Sequence, residues 1–221
     1  MTLPRLKAFI ASFGLVSPGR ARALLSYMHH LGSLELDPAH AAKRPASFSL
    51  TGKFLASYRR HEASLLDAIR VVEPTVELLL SNLATSGVMD SLVIEQGDAF
   101  VVGNRQTATF AAWYRVFLHP LAGIQILHDL VARAKTFPPT GNLPFSPAET
   151  SRRFKVSRVH VARLMNEAER EGFVIVETGS LQFTDAGRDA IEWQYASRLC
   201  LHLGCAARTL KANPQVLTAP A

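Results

Sequence analysis

The sequence predicts a mainly α-helical protein of the α+β class, with a small β-hairpin near each end and a mostly helical middle. Three observations lead there. The last third alternates helix caps and helical apolar stripes with one pair of short strand-like runs. The first third falls into register with the last when the sequence is slid by 140 positions. Between them, apolar runs with helical spacing are broken at prolines. The chain has 221 residues, 48% of them hydrophobic and 19% charged. That is enough apolar material for packed cores and argues against disorder over most of the length.

Taken in chain order, Ser17-Pro18 combines an N-cap residue with proline at the first helical position. The helix they open carries Leu24 and Leu25, ends in His29-His30, and stops at Gly32, a residue that readily takes a left-handed C-cap. Leu34 and Leu36 read as a strand, and Phe48-Ser-Leu as its return after a long connection from Asp37 to Ser47. In the middle, Leu65, Leu66 and Ile69, then Val76, Leu79, Leu80 and Leu83, predict helices separated at Pro74. Ser91-Leu-Val-Ile-Glu95 and Ala99-Phe-Val-Val102, rich in β-branched residues and flanking Gln96-Gly97-Asp98, predict a small β-hairpin. Phe110, Trp113, Tyr114 and Phe117 predict a helix ending near His119-Pro120, and a further helix is expected from Leu121 to Lys135. Their aromatic spacing suits a core better than an effector pocket. Phe137-Pro-Pro-Thr-Gly-Asn142 reads as a boundary.

The C-terminal third is the most legible. Ser146-Pro147-Ala148-Glu149 is a helix start with a capping-box arrangement, and that helix should run to about Phe154. After a turn through Lys155 and Val156, Ser157 caps a second helix with Val161, Leu164, Met165 and Ala168 at core spacing. Gly172 ends it. Phe173–Val176 and Leu181–Phe183 read as strands around Thr178-Gly179-Ser180. Thr184 caps a final helix striped by Ile191, Tyr195, Leu199 and Leu203. The 140-residue shift superposes Ser17 on Ser157, Gly32 on Gly172, and Leu34 and Leu36 on Val174 and Val176. Phe48–Thr51 then matches Leu181–Thr184 after a connection seven residues longer. Few residues are identical, but they fall on caps and core positions. The division is therefore residues 1–60, a linker or dimerisation segment at 61–137, and residues 138–221.

Helix, turn, helix, strand, turn, strand, helix, with the run Val156–Val174, resembles bacterial winged helix-turn-helix regulators of the MarR and Crp groups. The resemblance covers about 60 residues from Ser146, with a second copy at the N-terminus. It implies two winged helix-turn-helix domains and a sequence-specific transcriptional regulator whose partner is double-stranded DNA. In such a domain the second helix enters the major groove with its first turns. The resemblance thus assigns base reading to Ser157, Arg158, His160 and Arg163, and phosphate contact to Arg152, Arg153 and Lys155. In the first copy the matching residues are Ser17, Arg20 and Arg22, and the long connection adds His40, Lys43 and Arg44 as a basic wing.

Charge agrees with a polyanion as partner. Residues 1–60 carry 9 Lys/Arg against 2 Asp/Glu, residues 61–137 carry 5 against 8, and residues 138–221 carry 10 against 8. Two cysteines, Cys200 and Cys205, are too few for a disulfide framework and suit a reducing compartment. With His202 they lack the separated ligand pairs of a structural zinc site. No metal or other cofactor is expected. No secretory leader and no membrane-spanning run is read, so a cytoplasmic location is expected. Gly-rich phosphate loops, nucleophile elbows and zinc-protease motifs are absent, so an enzyme is not expected. A plasmid-type replication initiator and a winged-helix protein-interaction adaptor remain as alternatives. The sequence also leaves open an intrachain pseudo-dimer or a homodimer, the operator, and any small-molecule effector.

Overall fold

The computed structural model describes residues 2–13, 18–37, 46–103 and 110–216. The protein is mainly helical with small antiparallel sheets. It comprises two compact units, Met1–Gln106 with Leu201–Ala221, and Thr107–Cys200.

The second unit begins with a short helix α6 (Ala111–Trp113) that passes directly into a π-helical turn, Tyr114–Leu118. Helix α7 (Gly123–Arg133) follows. The predicted helix over Phe110–Phe117 is thus present but wound wider at its end, as π-helical turns are. Trp113 and Phe117 are fully buried, so the aromatic cluster is core. Strand β3 (Asn142–Pro144) lies where the sequence suggested only a boundary. It joins helix α8 (Pro147–Phe154), helix α9 (Arg158–Arg170), strands β4 (Val174–Glu177) and β5 (Ser180–Phe183), and helix α10 (Asp185–Ala212). The sheet order is β3-β5-β4, antiparallel throughout. Pro144 is tolerated because β3 is an edge strand.

The caps act as the sequence predicts. Ser146 Oγ accepts from Glu149 N at 3.4 Å, and Ser157 Oγ accepts from His160 N at 3.1 Å. Between them Lys155 takes a left-handed conformation that ends α8 and sets the turn. The core gathers Ile126, Leu127 and Leu130 of α7 with Val161, Leu164, Met165 and Ala168 of α9. Val174, Leu181, Phe183 and Ile191 complete it. Trp113 Nε1 donates to Gln194 Oε1 inside this core, and its ring meets Phe173 edge-on at 5.0 Å.

The other unit contains α1 (Leu3–Phe13), α2 (Pro18–His30), β1 (Leu34–Leu36), β2 (Phe48–Leu50) and α3 (Gly52–Arg70). A single-turn 3-10 helix (Pro74–Val76), α4 (Glu77–Ser81) and α5 (Val88–Gly103) follow. The expected hairpin over Ser91–Val102 is not formed: this stretch is the helix α5. Long-range contacts override its β-branched composition. Gln96, read as the start of a turn, donates from Nε2 to Glu62 Oε2 at 2.7 Å and accepts from Tyr58 OH at 2.7 Å. Glu95 pairs with Arg208 of α10. Gly97 sits on the exposed side, where helix geometry needs nothing from it. Burial, then the Glu62 carboxylate, pushes the Tyr58 hydroxyl up to about 12, so it stays a proton donor in this network.

Around Gly32 and Thr51, and around Gly172 and Thr184, the same backbone and side-chain hydrogen bonds recur. Gly32 and Gly172 both have positive φ, +68° and +76°. Ser33 N donates to Met28 O at 2.8 Å, and Phe173 N donates to Ala168 O at 2.9 Å. Thr51 N reaches Ser33 O, and Thr184 N reaches Phe173 O, both at 3.1 Å. Thr51 Oγ1 donates to Gly32 O at 2.7 Å, and Thr184 Oγ1 donates to Gly172 O at 2.6 Å. The same two hydroxyls accept from Phe54 N and Gly187 N, capping α3 and α10. The strand registers also match: Leu34↔Leu50 and Leu36↔Phe48 correspond to Val174↔Phe183 and Val176↔Leu181.

Candidate nucleic-acid interface

Helix α9 owes its position to one apolar stripe. Val161, Leu164, Met165 and Ala168 point into the core at helical spacing. The opposite side therefore presents Val159, Arg163 and Asn166, all exposed, with Arg158 on its flank. Ser157 caps the helix and is itself exposed. Arg152 on α8 and Lys155 in the turn are exposed just before it.

Among the described residues, Arg152, Lys155, Arg158 and Arg163 make no ion pair. Arg198 on α10 makes none either, but most other arginines of this unit do. Arg115 binds Glu171 at 2.8 Å, Arg133 binds Asp129 at 3.0 Å, Arg170 pairs with Glu167, and Arg188 pairs with Asp185. The unpaired four cluster along the α8–α9 turn and the first turns of α9. Their positive charge adds to that of the unsatisfied N–H groups at the start of the helix.

Two residues assigned to DNA by the sequence have partners within the unit. Arg153 Nη2 binds Asp129 Oδ1 at 2.8 Å, which ties α8 to α7. His160 is half-buried, and its Nε2 lies 2.7 Å from the carbonyl oxygen of Leu121. The Arg153 side chain stays exposed beside that ion pair, whereas His160 is turned partly into the unit. Conversely, Val159 and Asn166 were not singled out from sequence. The signal was available: both lie opposite the Val161–Leu164–Ala168 stripe on a helical projection. Asn can bond both edge groups of adenine, and Arg both acceptors of guanine, while a valine methyl suits a thymine methyl.

In the first unit, Arg20 and Arg22 lie exposed in the first turns of α2. Ser17, His40, Lys43 and Arg44 lie outside the described residues. Among the described residues, no group of three or more His, Cys, Asp or Glu is placed to hold a metal ion. Cys200 is exposed and Cys205 buried, and Cys205 Sγ accepts from Arg208. Among the described residues, no helix is long and apolar enough to cross a membrane. Comparison with protein-family models, with curated proteins and with solved structures finds no match to this chain.

Proposed function

We propose that the protein is a sequence-specific DNA-binding transcriptional regulator, not an enzyme, which acts in the cytoplasm. Its two similar segments are winged helix-turn-helix domains, and α9 is the recognition helix of the second. The observation that carries this reading is the unpaired cationic surface of Arg152, Lys155, Arg158 and Arg163 on a helix–turn–helix whose other arginines are neutralised. Leaving four cations unpaired side by side has a repulsive cost, which a bound polyanion removes.

In this reading Arg158 and Arg163 contact base edges with Val159 and Asn166 beside them. Arg152 and Lys155 meet phosphates. The β4–β5 turn at Thr178-Gly179 is the wing. Support comes from the order α7, β3, α8, α9, β4, β5 and the β3-β5-β4 pairing, in which a two-stranded hairpin directly follows α9.

Selection of genomic DNA fragments by the full chain tests it. The wild type should retain a few fragments preferentially. Each arginine on a guanine edge contributes about 1–3 kcal/mol, so Arg158→Ala/Arg163→Ala should weaken those fragments by roughly 30-fold or more and flatten the preference. Uniform retention, or retention unchanged by the double substitution, would sink the assignment.

A further inference from the structure

The two repeated segments differ in what lies over them. In the second unit, residues 111–118 pack along α9 and reach α10 at Gln194. Trp113 reaches Gln194 and Phe173, Arg115 pairs with Glu167 and Glu171, and Val116 lines the same cleft as Leu164. Leu164 is 4% exposed and Phe183 1% exposed.

The matching residues of the first unit are uncovered. Leu24, the counterpart of Leu164, is 49% exposed, and Leu50, the counterpart of Phe183, is 48% exposed. Tyr27 and Leu31 stand where Glu167 and Glu171 bind Arg115, and both are exposed. His61 and Ser57, which match buried Gln194 and Ala190, are also exposed. Acidic residues have thus been replaced by apolar ones on the very side that a helix covers in the other copy. Large apolar side chains grouped on a surface mark a contact site.

We propose that this face, centred on Leu24, Tyr27, Leu31 and Leu50, docks an amphipathic helix of another protein. The helix presents aromatic and aliphatic side chains at i, i+3 and i+4, as Trp113, Val116 and Phe117 do, and carries acidic side chains along its edges. The apolar part follows from the internal comparison and is the helix-in-groove mode of recognition. The acidic part follows from charge: the described stretches 18–37 and 46–61 contain five Lys/Arg and two Asp/Glu. A second copy bringing the same face would set like charges against each other, so self-pairing is disfavoured. The inference does not depend on DNA binding by α9.

The test uses the full chain and a fluorescein-labelled peptide of about 16 residues, just above the length below which isolated helices are marginal in water. It carries Trp, Val and Phe at i, i+3 and i+4 and Glu on its flanks, and a twin peptide carries Lys in place of Glu. Fluorescence anisotropy should show saturable binding of the acidic peptide and at least tenfold weaker binding of the twin. Leu24→Glu/Tyr27→Glu should weaken the acidic peptide by roughly tenfold or more, as loss of central interface residues does. Both side chains are exposed, so the melting temperature should hold; should the double variant unfold, Tyr27→Ala carries the same test. Absence of saturable binding, or binding indifferent to these substitutions or to peptide charge, would overturn the proposal. So would a wild-type dimer in sedimentation that Leu24→Glu/Tyr27→Glu converts to monomer, because the occupant would then be a second copy.

Discussion

Replacing Trp113 with alanine should lower the stability of the second unit by about 3–5 kcal/mol, the usual cost of truncating a buried tryptophan. Trp113 is fully buried and fills the space between Phe117, at 4.5 Å between ring centres, and Phe173. Its indole N–H is also the donor to Gln194 Oε1, and Gln194 Nε2 already has no partner in the core. Truncation therefore opens a cavity and leaves a buried amide with both ends unsatisfied. The protein contains two tryptophans, Trp113 and Trp193, both in this unit. In the variant, the fluorescence of Trp193 follows urea unfolding of the unit alone. Trp113→Phe separates the two effects: it restores much of the ring volume, and what it still costs belongs to the orphaned amide.

Gly187→Ala should destabilise the same unit by about 3 kcal/mol or more, at the upper end for overpacking. A Cβ at this position would lie 2.0 Å from the carbonyl oxygen of Phe173 and 3.0 Å from its carbon. The obstacle is backbone, and it is fixed twice over, because Thr184 N donates to that same oxygen and Thr184 Oγ1 bonds Gly172 O. The start of α10 would have to move off β4, taking the Thr184 cap with it. Thermal melts of Gly187→Ala beside Gly179→Ala provide the check. Gly179 also has positive φ but nothing within 4 Å of its Cβ position, so its substitution should show the cost of backbone conformation alone.

The C-terminal elements were legible because their ends are written in single residues. Ser146, Ser157, Gly172 and Thr184 each perform the local hydrogen bond or backbone turn that their side chains favour. The repeat was legible for the same reason: matched caps and strand positions survive where most identities do not. Helix α5 was misread as a hairpin because Val93, Ile94, Val101 and Val102 favour strands locally. The ties that hold the segment helical, from Gln96 to Glu62 and Tyr58 and from Glu95 to Arg208, span 34 to 113 residues. Strand β3 was missed because three residues with a proline carry no alternation to read; it forms only because β5 offers an edge. The contacts of Arg153 on α8 and His160 on α9 are with Asp129 and the Leu121 carbonyl, which sequence spacing does not bring near them.

The central claim is that the unpaired cations before and within α9 meet a nucleic-acid backbone and its bases. The salt dependence of affinity for a retained DNA fragment tests it most directly, with the wild type beside Arg152→Ala/Lys155→Ala. Each phosphate contact contributes about −0.9 to the slope of log affinity against log salt, so the double substitution should make the slope shallower by about 1.8 while leaving the order of preferred fragments unchanged. A slope near zero in the wild type, or one that the double substitution does not alter, would contradict the account.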